Sequence, residues 1–174
     1  MIKADMHIHS TVSDGSFTIP ELISRAKENG LDAIVITDHD TLSHSKQLPE
    51  HSGIRVTAGI EISAFDYEKN FRVHILGYNI RNIDLIEKTV RPTLEARHEN
   101  SIKQIGILNQ HGYEIDINEL RKADGKYIYK QHIMENLVRR KKADEMYSKV
   151  LADRVRILKE TPEGVKLMCK EMDE

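Results

Sequence analysis

Hydrophobic residues in the first forty positions form short runs separated by one amphipathic segment. Residues 1–9 alternate between apolar and polar side chains, which predicts a first strand. Apolar positions at helical spacing follow a capping-box pattern of Thr18 and Glu21, and Gly30 is expected to end this helix. The continuous apolar run over residues 33–37 predicts a strand covered on both faces. Strand, helix and strand in this order predict a parallel βαβ unit.

The next segments are predicted to add further strands. Residues 41–48 indicate one or two helical turns, and residues 54–60 predict a third strand. Residues 62–65 and 71–76 flank the polar turn 67–70, which indicates a hairpin-like excursion that ends in a fourth strand. In parallel sheets the active site lies at the carboxyl ends of the strands. We therefore expect functional side chains where these strands end.

The second half of the chain is predicted to be helical. Residues 83–111 indicate a helix that is interrupted or starts again at Pro92, and Gly112 is expected to end it. Further helices are predicted over residues 117–122, 131–140, 144–159 and 161–174. This half is therefore expected to be α-rich.

Composition narrows the class of protein. A chain of 174 residues is expected to form one domain, with or without a small inserted lobe. The net charge of −2 argues against binding to duplex nucleic acid. One cysteine, Cys169, cannot form an internal disulfide. Together with the lack of a long apolar stretch or a signal peptide, this predicts a cytoplasmic protein with no membrane partner.

Histidine and carboxylate residues recur where the predicted strands end. The candidate metal ligands are His7, His9, Asp14, His39, Glu61 and His74. His7 and His9 are two apart on a strand, so their side chains point to the same face. Imidazole and carboxylate together suit Zn, Mn or Fe. Six groups exceed the needs of one tetrahedral ion, which predicts that Glu61 bridges two ions and that the reaction is phosphate-ester hydrolysis.

Other polar residues receive structural interpretations. Asp38 is expected to orient a histidine, Asp40 to cap the next turn, and Asp5 to hydrogen-bond at a strand end. Four histidines outside these motifs are expected at solvated positions: His44, His51, His98 and His111. The basic run over residues 139–142 is expected to be a solvated helix end.

Five short motifs resemble those of the PHP (polymerase and histidinol phosphatase) family and occur in that family's order. They are His7-Ile8-His9-Ser10, Ser13-Asp14-Gly15, Ile36-Thr37-Asp38-His39-Asp40, Gly59-Ile60-Glu61-Ile62-Ser63 and Val73-His74-Ile75-Leu76-Gly77-Tyr78. The match is closest to the stand-alone metal-dependent phosphoesterases of the family. Residues 97–137, which include Gln131-His132-Ile133, also resemble the helical insertion of that subfamily.

The resemblance implies an α/β fold that is the N-terminal part of a distorted (β/α)7 barrel. Residues 1–80 would belong to the barrel, residues 81–160 to an inserted α-helical lobe, and residues 161–174 to a crossover helix returning to the barrel. The family's later His-Pro and Asp-x-His motifs are absent from this sequence, so the barrel is expected to be truncated. Its open sheet edge predicts a homo-oligomer, or a strand rearranged to cover that edge.

The resemblance also implies a site with two or three divalent ions. His7, His9 and Glu61 would hold the first ion. The second would lie between Glu61 and His74, and the third between Asp14 and His39. A metal-bridging hydroxide would then attack a phosphate ester of a nucleotide or short oligonucleotide.

Within this family pattern His132 would contact the substrate phosphate, although a packed or exposed histidine is an equally good interpretation.

Two other functions stay open. The first is a weakly active or inactive module of the same fold with a binding or regulatory role. The second is an amidohydrolase-type enzyme, for which the sequence offers no motif.

Overall fold

A computed structural model of the protein describes residues 1–120 and 126–139. Its elements are β1 (Ala4–Ile8), α1 (Ile19–Glu28), β2 (Ala33–Ile36), a 3₁₀ helix (Ser43–Gln47), β3 (Arg55–Ala58), β4 (Ile60–Asp66), β5 (Phe71–Gly77), α2 (Ile83–Gln110), α3 (Ile117–Leu120) and α4 (Lys130–Arg139). The helices predicted over residues 144–159 and 161–174 lie outside the described residues. Within the described ranges no helix is long and apolar enough to cross a membrane.

Strands β1, β2 and β3 form a parallel sheet in that order, which confirms the predicted βαβ unit. Helix α1 begins where the capping box predicts, and the Glu21 carboxylate accepts a hydrogen bond from the Thr18 N–H at 2.7 Å. The apolar face of α1 packs Ile23 into the same cluster as Ile34 and Ile36 of β2. This core fixes the sheet beneath the loops that follow β1 and β2.

Strands β4 and β5 form the predicted hairpin, with Ser63 opposite His74 in an antiparallel pair. The first residues of β4 run beside the segment that follows β2, through a parallel bridge between His39 and Glu61. The Asp40 N–H donates to the Glu61 carbonyl at 2.9 Å. This contact brings the hairpin to the carboxyl ends of the parallel strands.

The described strands do not close into a barrel, so the barrel prediction is confirmed only as a mixed α/β fold. They form a three-stranded parallel sheet and a separate two-stranded antiparallel sheet. In this part of the chain β1 lies at a sheet edge, and its Met6 side chain is 46% exposed. The division into segments at residues 80 and 160 stays a prediction.

Helix α2 is continuous over 28 residues, so the break predicted at Pro92 is wrong. Proline removes one helical hydrogen bond and clashes with the preceding turn. Packing offsets this cost, because Val90 and Leu94 on either side of Pro92 are only 3% and 2% exposed. Further along α2, Ile105 joins an apolar cluster with Ile133 of α4. Helix α2 therefore connects the sheet side of the molecule to α4.

Candidate metal centre

All six predicted metal ligands lie together at the carboxyl ends of β1 and β2. His7 belongs to β1 and His9 follows it, Asp14 lies in the next loop, His39 follows β2, Glu61 lies on β4 and His74 on β5. Glu61 is central and only 3% exposed. Strand ends, one loop and one hairpin therefore build a single cluster.

The Glu61 carboxylate lies within hydrogen-bond distance of three imidazoles, and Nδ1 of His39 lies 3.6 Å from its Oε2 atom. Its Oε2 lies 2.9 Å from Nε2 of His7 and 2.6 Å from Nε2 of His9. Its Oε1 lies 2.5 Å from Nδ1 of His74. Burial raises the pKa of Glu61, but the hydrogen bond from His7 and the neighbouring imidazoles outweigh it and lower the pKa overall. Both oxygens of an anionic carboxylate thus face ring nitrogens, as a bridging ligand requires.

Asp14 joins His9 and His39 from the other side of the cluster. Its Oδ1 lies 2.7 Å from Nδ1 of His9, and its Oδ2 lies 3.7 Å from Nε2 of His39. Burial raises the pKa of Asp14, but the hydrogen bond from His9 and the charges of both imidazoles lower it more, to about 2. Burial lowers the pKa of His9, yet Asp14 and Glu61 outweigh burial and raise it.

The chemistry of these side chains fits divalent ions. Three groups each place potential ligand atoms within 4.8 Å of one another: His7–His9–Glu61, His9–Asp14–His39 and His39–Glu61–His74. Nδ1 of His39 is buried and has no hydrogen-bond partner among the described residues. A buried polar atom normally has a partner, and an ion would supply one here. Burial lowers the pKa of His39, which favours the neutral imidazole that a metal requires.

Asp38 is fully buried and anchors the loop between β1 and α1. Its Oδ1 accepts from the Ser10 N–H at 2.7 Å and from the Ser13 hydroxyl at 2.6 Å, and its Oδ2 accepts from the Ser10 hydroxyl at 2.7 Å. Burial raises the pKa of Asp38, but His44 and the two serines outweigh burial and lower it. Asp38 thereby fixes the loop that carries Asp14. The histidine it contacts is His44, which is outside the six.

The solvated position predicted for His44 is wrong, because its side chain is fully buried. The 3₁₀ helix places its Nδ1 atom 3.0 Å from Oδ2 of Asp38. The surface prediction also fails for His98, which is half-buried and accepts the Ile128 N–H at 3.0 Å. His51 and His111 are exposed, as predicted.

The sequence predicted that Asp40 caps the next turn, and this prediction is wrong. The Asp40 carboxylate accepts the Ser63 N–H at 2.8 Å, and its Oδ2 atom lies 3.0 Å from Nη2 of Arg97. Arg97 also donates to the Ser63 hydroxyl. Asp40 therefore joins β4 to α2 beside the cluster.

An open cavity next to His74 is lined by three cationic side chains. None of them was predicted from the sequence to be a site residue. They are Arg72, Arg97 and Lys130, and the cavity has a volume of about 500 Å³. Positive charge was the only sequence signal for these residues. Their position could not be predicted from local pattern, because Arg97 lies 57 residues from its partner Asp40. The fold therefore adds an anion-attracting wall to the metal cluster.

The sequence left two interpretations of His132, a contact with substrate phosphate and a packed or exposed histidine. In the structure its side chain is packed. It is 3% exposed, and its Nε2 atom lies 2.8 Å from the Ser13 carbonyl oxygen. Contact between His132 and a substrate phosphate stays a prediction.

Gly15 packs the loop of Asp14 tightly against the backbone of His9, the residue after β1. A Cβ atom at this position would lie 2.1 Å from the His9 carbonyl oxygen, so the backbone would have to shift and Asp14 would move with it. We expect Gly15→Ala to lower the free energy of unfolding by about 1–3 kcal/mol and to weaken Mn²⁺ binding. Urea denaturation in EDTA and calorimetric Mn²⁺ titration would measure these effects.

Gly106→Ala is the matched control for Gly15→Ala. A Cβ atom at Gly106 would have no neighbour within 4 Å, and alanine is favoured over glycine inside a helix. We therefore expect the control to match or slightly exceed the wild-type stability. Equal behaviour of the two variants would contradict the prediction.

Comparison with known proteins identifies the group to which this site belongs. The PHP domain family model matches residues 5–165. The phosphoribosyl 1,2-cyclic phosphate 1,2-diphosphodiesterase of Eggerthella lenta is 39% identical over 140 residues, which cover 76% of this chain and 53% of the relative. The 3′,5′-nucleoside bisphosphate phosphatase of Chromobacterium violaceum is 34% identical over 107 residues, which cover 60% of this chain and 36% of the relative. The chain thus spans about half the length, or less, of these curated relatives.

A solved structure gives the same result at the level of the fold. The protein from Bifidobacterium adolescentis, which is assigned as a metal-dependent phosphoesterase, superposes with a TM-score of 0.69 and 27% identity. The alignment covers 84% of this chain and 51% of that chain. Since the family model also spans most of the sequence, the resemblance found in the motifs is confirmed. The chain belongs to the PHP domain family.

Proposed function

We propose that the protein is a metal-dependent phosphoesterase that hydrolyses phosphate esters of nucleotides or short oligonucleotides. The observation that carries this proposal is the buried Glu61 carboxylate in contact with three imidazoles. Imidazole and carboxylate ligands of this kind bind the metals that hydrolytic enzymes use. The two curated relatives, by name, act on a cyclic phosphate diester and on a nucleoside bisphosphate.

Two or three divalent ions, Mn, Zn or Fe, are the proposed cofactors. His7, His9 and Glu61 would hold one ion. Glu61 would share a second with His74, and Asp14 and His39 would hold a third. When bound, such ions supply an activated water and neutralise the charge on phosphoryl oxygens.

The cationic cavity beside His74 is the proposed place for the substrate phosphate. Its volume of about 500 Å³ lies within the range of roughly 300–1,000 Å³ that is typical of small-molecule sites. Arg72 and Lys130 supply positive charge on its wall. Asp40 fixes the guanidinium of Arg97, which keeps that cation oriented in the wall. The chain's own side chains would thus bind and orient an anionic group next to the metal ligands.

Metal analysis and hydrolysis assays test this function. Purified protein with added Mn²⁺ should hydrolyse a 3′,5′-bisphosphonucleotide or a generic phosphomonoester, and EDTA should remove the activity. We expect His9→Ala to lower the rate by about 100-fold or more, because loss of even an indirect metal partner costs 10–100-fold. His51→Ala, at an exposed position, is the matched control.

Two outcomes would contradict the proposed enzyme. A hydrolysis rate that does not depend on added metal and is unchanged in His9→Ala would contradict the metal-dependent mechanism. Protein that binds Mn²⁺ but turns over neither substrate would favour the alternative, a weakly active or inactive module with a binding or regulatory role.

Two further proposals concern the state of the protein. Among the described strands β1 pairs only with β2, and an open strand edge favours pairing with another chain. A homo-oligomer that covers this edge therefore stays a prediction, which light scattering would test. A cytoplasmic location is proposed on the single Cys169.

A further inference from the structure

We infer that Tyr129 and His132 are positioning residues of the metal centre, which hold the backbone of its two ligand-bearing loops from the helical part of the chain. The inference rests on the proposed function, because it concerns the same cluster. It is carried by two buried hydrogen bonds that end on main-chain carbonyls, one of the candidate ligand His39 and one of Ser13, the residue before Asp14.

The first bond fixes the loop after β2. Tyr129, just before α4, is 2% exposed, and its hydroxyl donates to the carbonyl oxygen of His39 at 2.9 Å. This carbonyl belongs to a residue whose imidazole is itself a candidate ligand. Since a hydroxyl has few alternative partners in a buried site, the bond defines where the backbone of His39 lies.

The second bond fixes the loop after β1. The Nδ1 atom of His132 faces the Tyr129 N–H at 3.4 Å, so Nδ1 is the acceptor and Nε2 carries the proton. Nε2 then donates to the Ser13 carbonyl at 2.8 Å. Ser13 directly precedes Asp14, so this bond sets the direction in which the Asp14 carboxylate leaves the loop.

Both bonds act on the ligand group His9–Asp14–His39. His39 also lies in the group with Glu61 and His74, but in the proposed assignment it holds only the ion shared with Asp14. Glu61 and His7 are placed by strands β4 and β1 themselves. Metal sites require their ligands to lie within about 0.5 Å of the productive geometry. We therefore expect loss of either bond to weaken the ion at Asp14 and His39 selectively.

A third bond across the same interface provides an internal control. The Ser16 hydroxyl donates to the Glu135 carboxylate at 2.9 Å. This contact is exposed, and it does not involve the backbone carbonyl of His39 or Ser13. If contact between α4 and the loop mattered only for docking, removing this bond would act in the same way as removing the other two.

Calorimetric titration of the full chain with Mn²⁺ tests the inference. Tyr129→Phe keeps the ring but removes the hydroxyl, and His132→Leu keeps the volume but removes the donor. We expect each to weaken one class of Mn²⁺ site by about 10–100-fold and to leave the remaining affinity unchanged. His132→Gln, whose amide retains a donor near the position of Nε2, should restore much of the loss, and Ser16→Ala should match the wild type.

The contrary results are equally specific. Wild-type affinities in both Tyr129→Phe and His132→Leu would overturn the inference. Uniform weakening of every site, accompanied by equal loss of stability in EDTA and no rescue by His132→Gln, would reduce the two residues to a structural role. Absence of Mn²⁺ binding by the wild type would also overturn it. Because binding is read without turnover, Mn²⁺ binding without hydrolysis would contradict the proposed function alone.

Discussion

Glu61→Gln is expected to lower metal-dependent phosphoester hydrolysis by about 100-fold or more. The carboxylate presents acceptor oxygens to nitrogens of His7, His9 and His74. A glutamine has nearly the same shape but carries no charge, and one of its two terminal atoms is a donor. It can therefore accept on one side only and cannot bridge two cations.

Mn²⁺ titration together with hydrolysis of a 3′,5′-bisphosphonucleotide would measure this effect. Glu68→Gln is the matched control, because Glu68 lies exposed in the turn of the same hairpin. The control removes the same charge from the same element without touching the cluster, so we expect wild-type behaviour. A Glu61→Gln protein with wild-type rate and Mn²⁺ affinity would show that Glu61 is not a metal ligand.

The position of the cluster could be predicted because it follows from short-range rules. Alternating side chains place His7 and His9 on one face, and parallel strands bring their carboxyl ends to one edge. These two rules predicted that the histidines after β1 and β2 would meet, and the rings of His9 and His39 lie 4.5 Å apart between their centroids. The hairpin was predicted from its polar turn alone. Its contact with the edge depends on the bridge between His39 and Glu61, a pairing that only the assembled fold shows.

The residues around the cluster could not be predicted, because their roles depend on distant partners. Tyr129 reaches a carbonyl 90 positions away, and Arg97 reaches a carboxylate 57 positions away. His44 was assigned to the surface because an isolated polar residue is usually exposed. In the structure its buried Nδ1 atom lies 3.0 Å from Oδ2 of Asp38, a partner that the sequence pattern did not reveal. Local sequence pattern thus predicts the metal ligands that lie on strands or at strand ends. It does not predict the distant side chains that hold those ligands in position.

Asp38→Ala is the substitution expected to destabilise the fold most. The carboxylate is fully buried, accepts from Ser10 and Ser13, and lies 3.0 Å from Nδ1 of His44. Removing the carboxylate leaves the Ser10 and Ser13 donors without their acceptor in a site without solvent. Each such buried donor costs about 1–3 kcal/mol, so we expect about 3–5 kcal/mol in total. We expect a loss of this size in the free energy of unfolding, measured by urea denaturation in EDTA so that metal binding does not contribute.

Asp38→Asn separates loss of charge from loss of the hydrogen-bond acceptor. One amide oxygen can still accept from the Ser10 N–H and the Ser13 hydroxyl, so we expect a clearly smaller loss than for alanine. Asp66→Ala is the control in an exposed turn, where the carboxylate accepts two backbone N–H groups. Its expected cost is about 1 kcal/mol. If Asp38→Ala costs no more than Asp66→Ala, the loop of Asp14 must be held by its backbone contacts, and Asp38 would have no special role in placing that ligand.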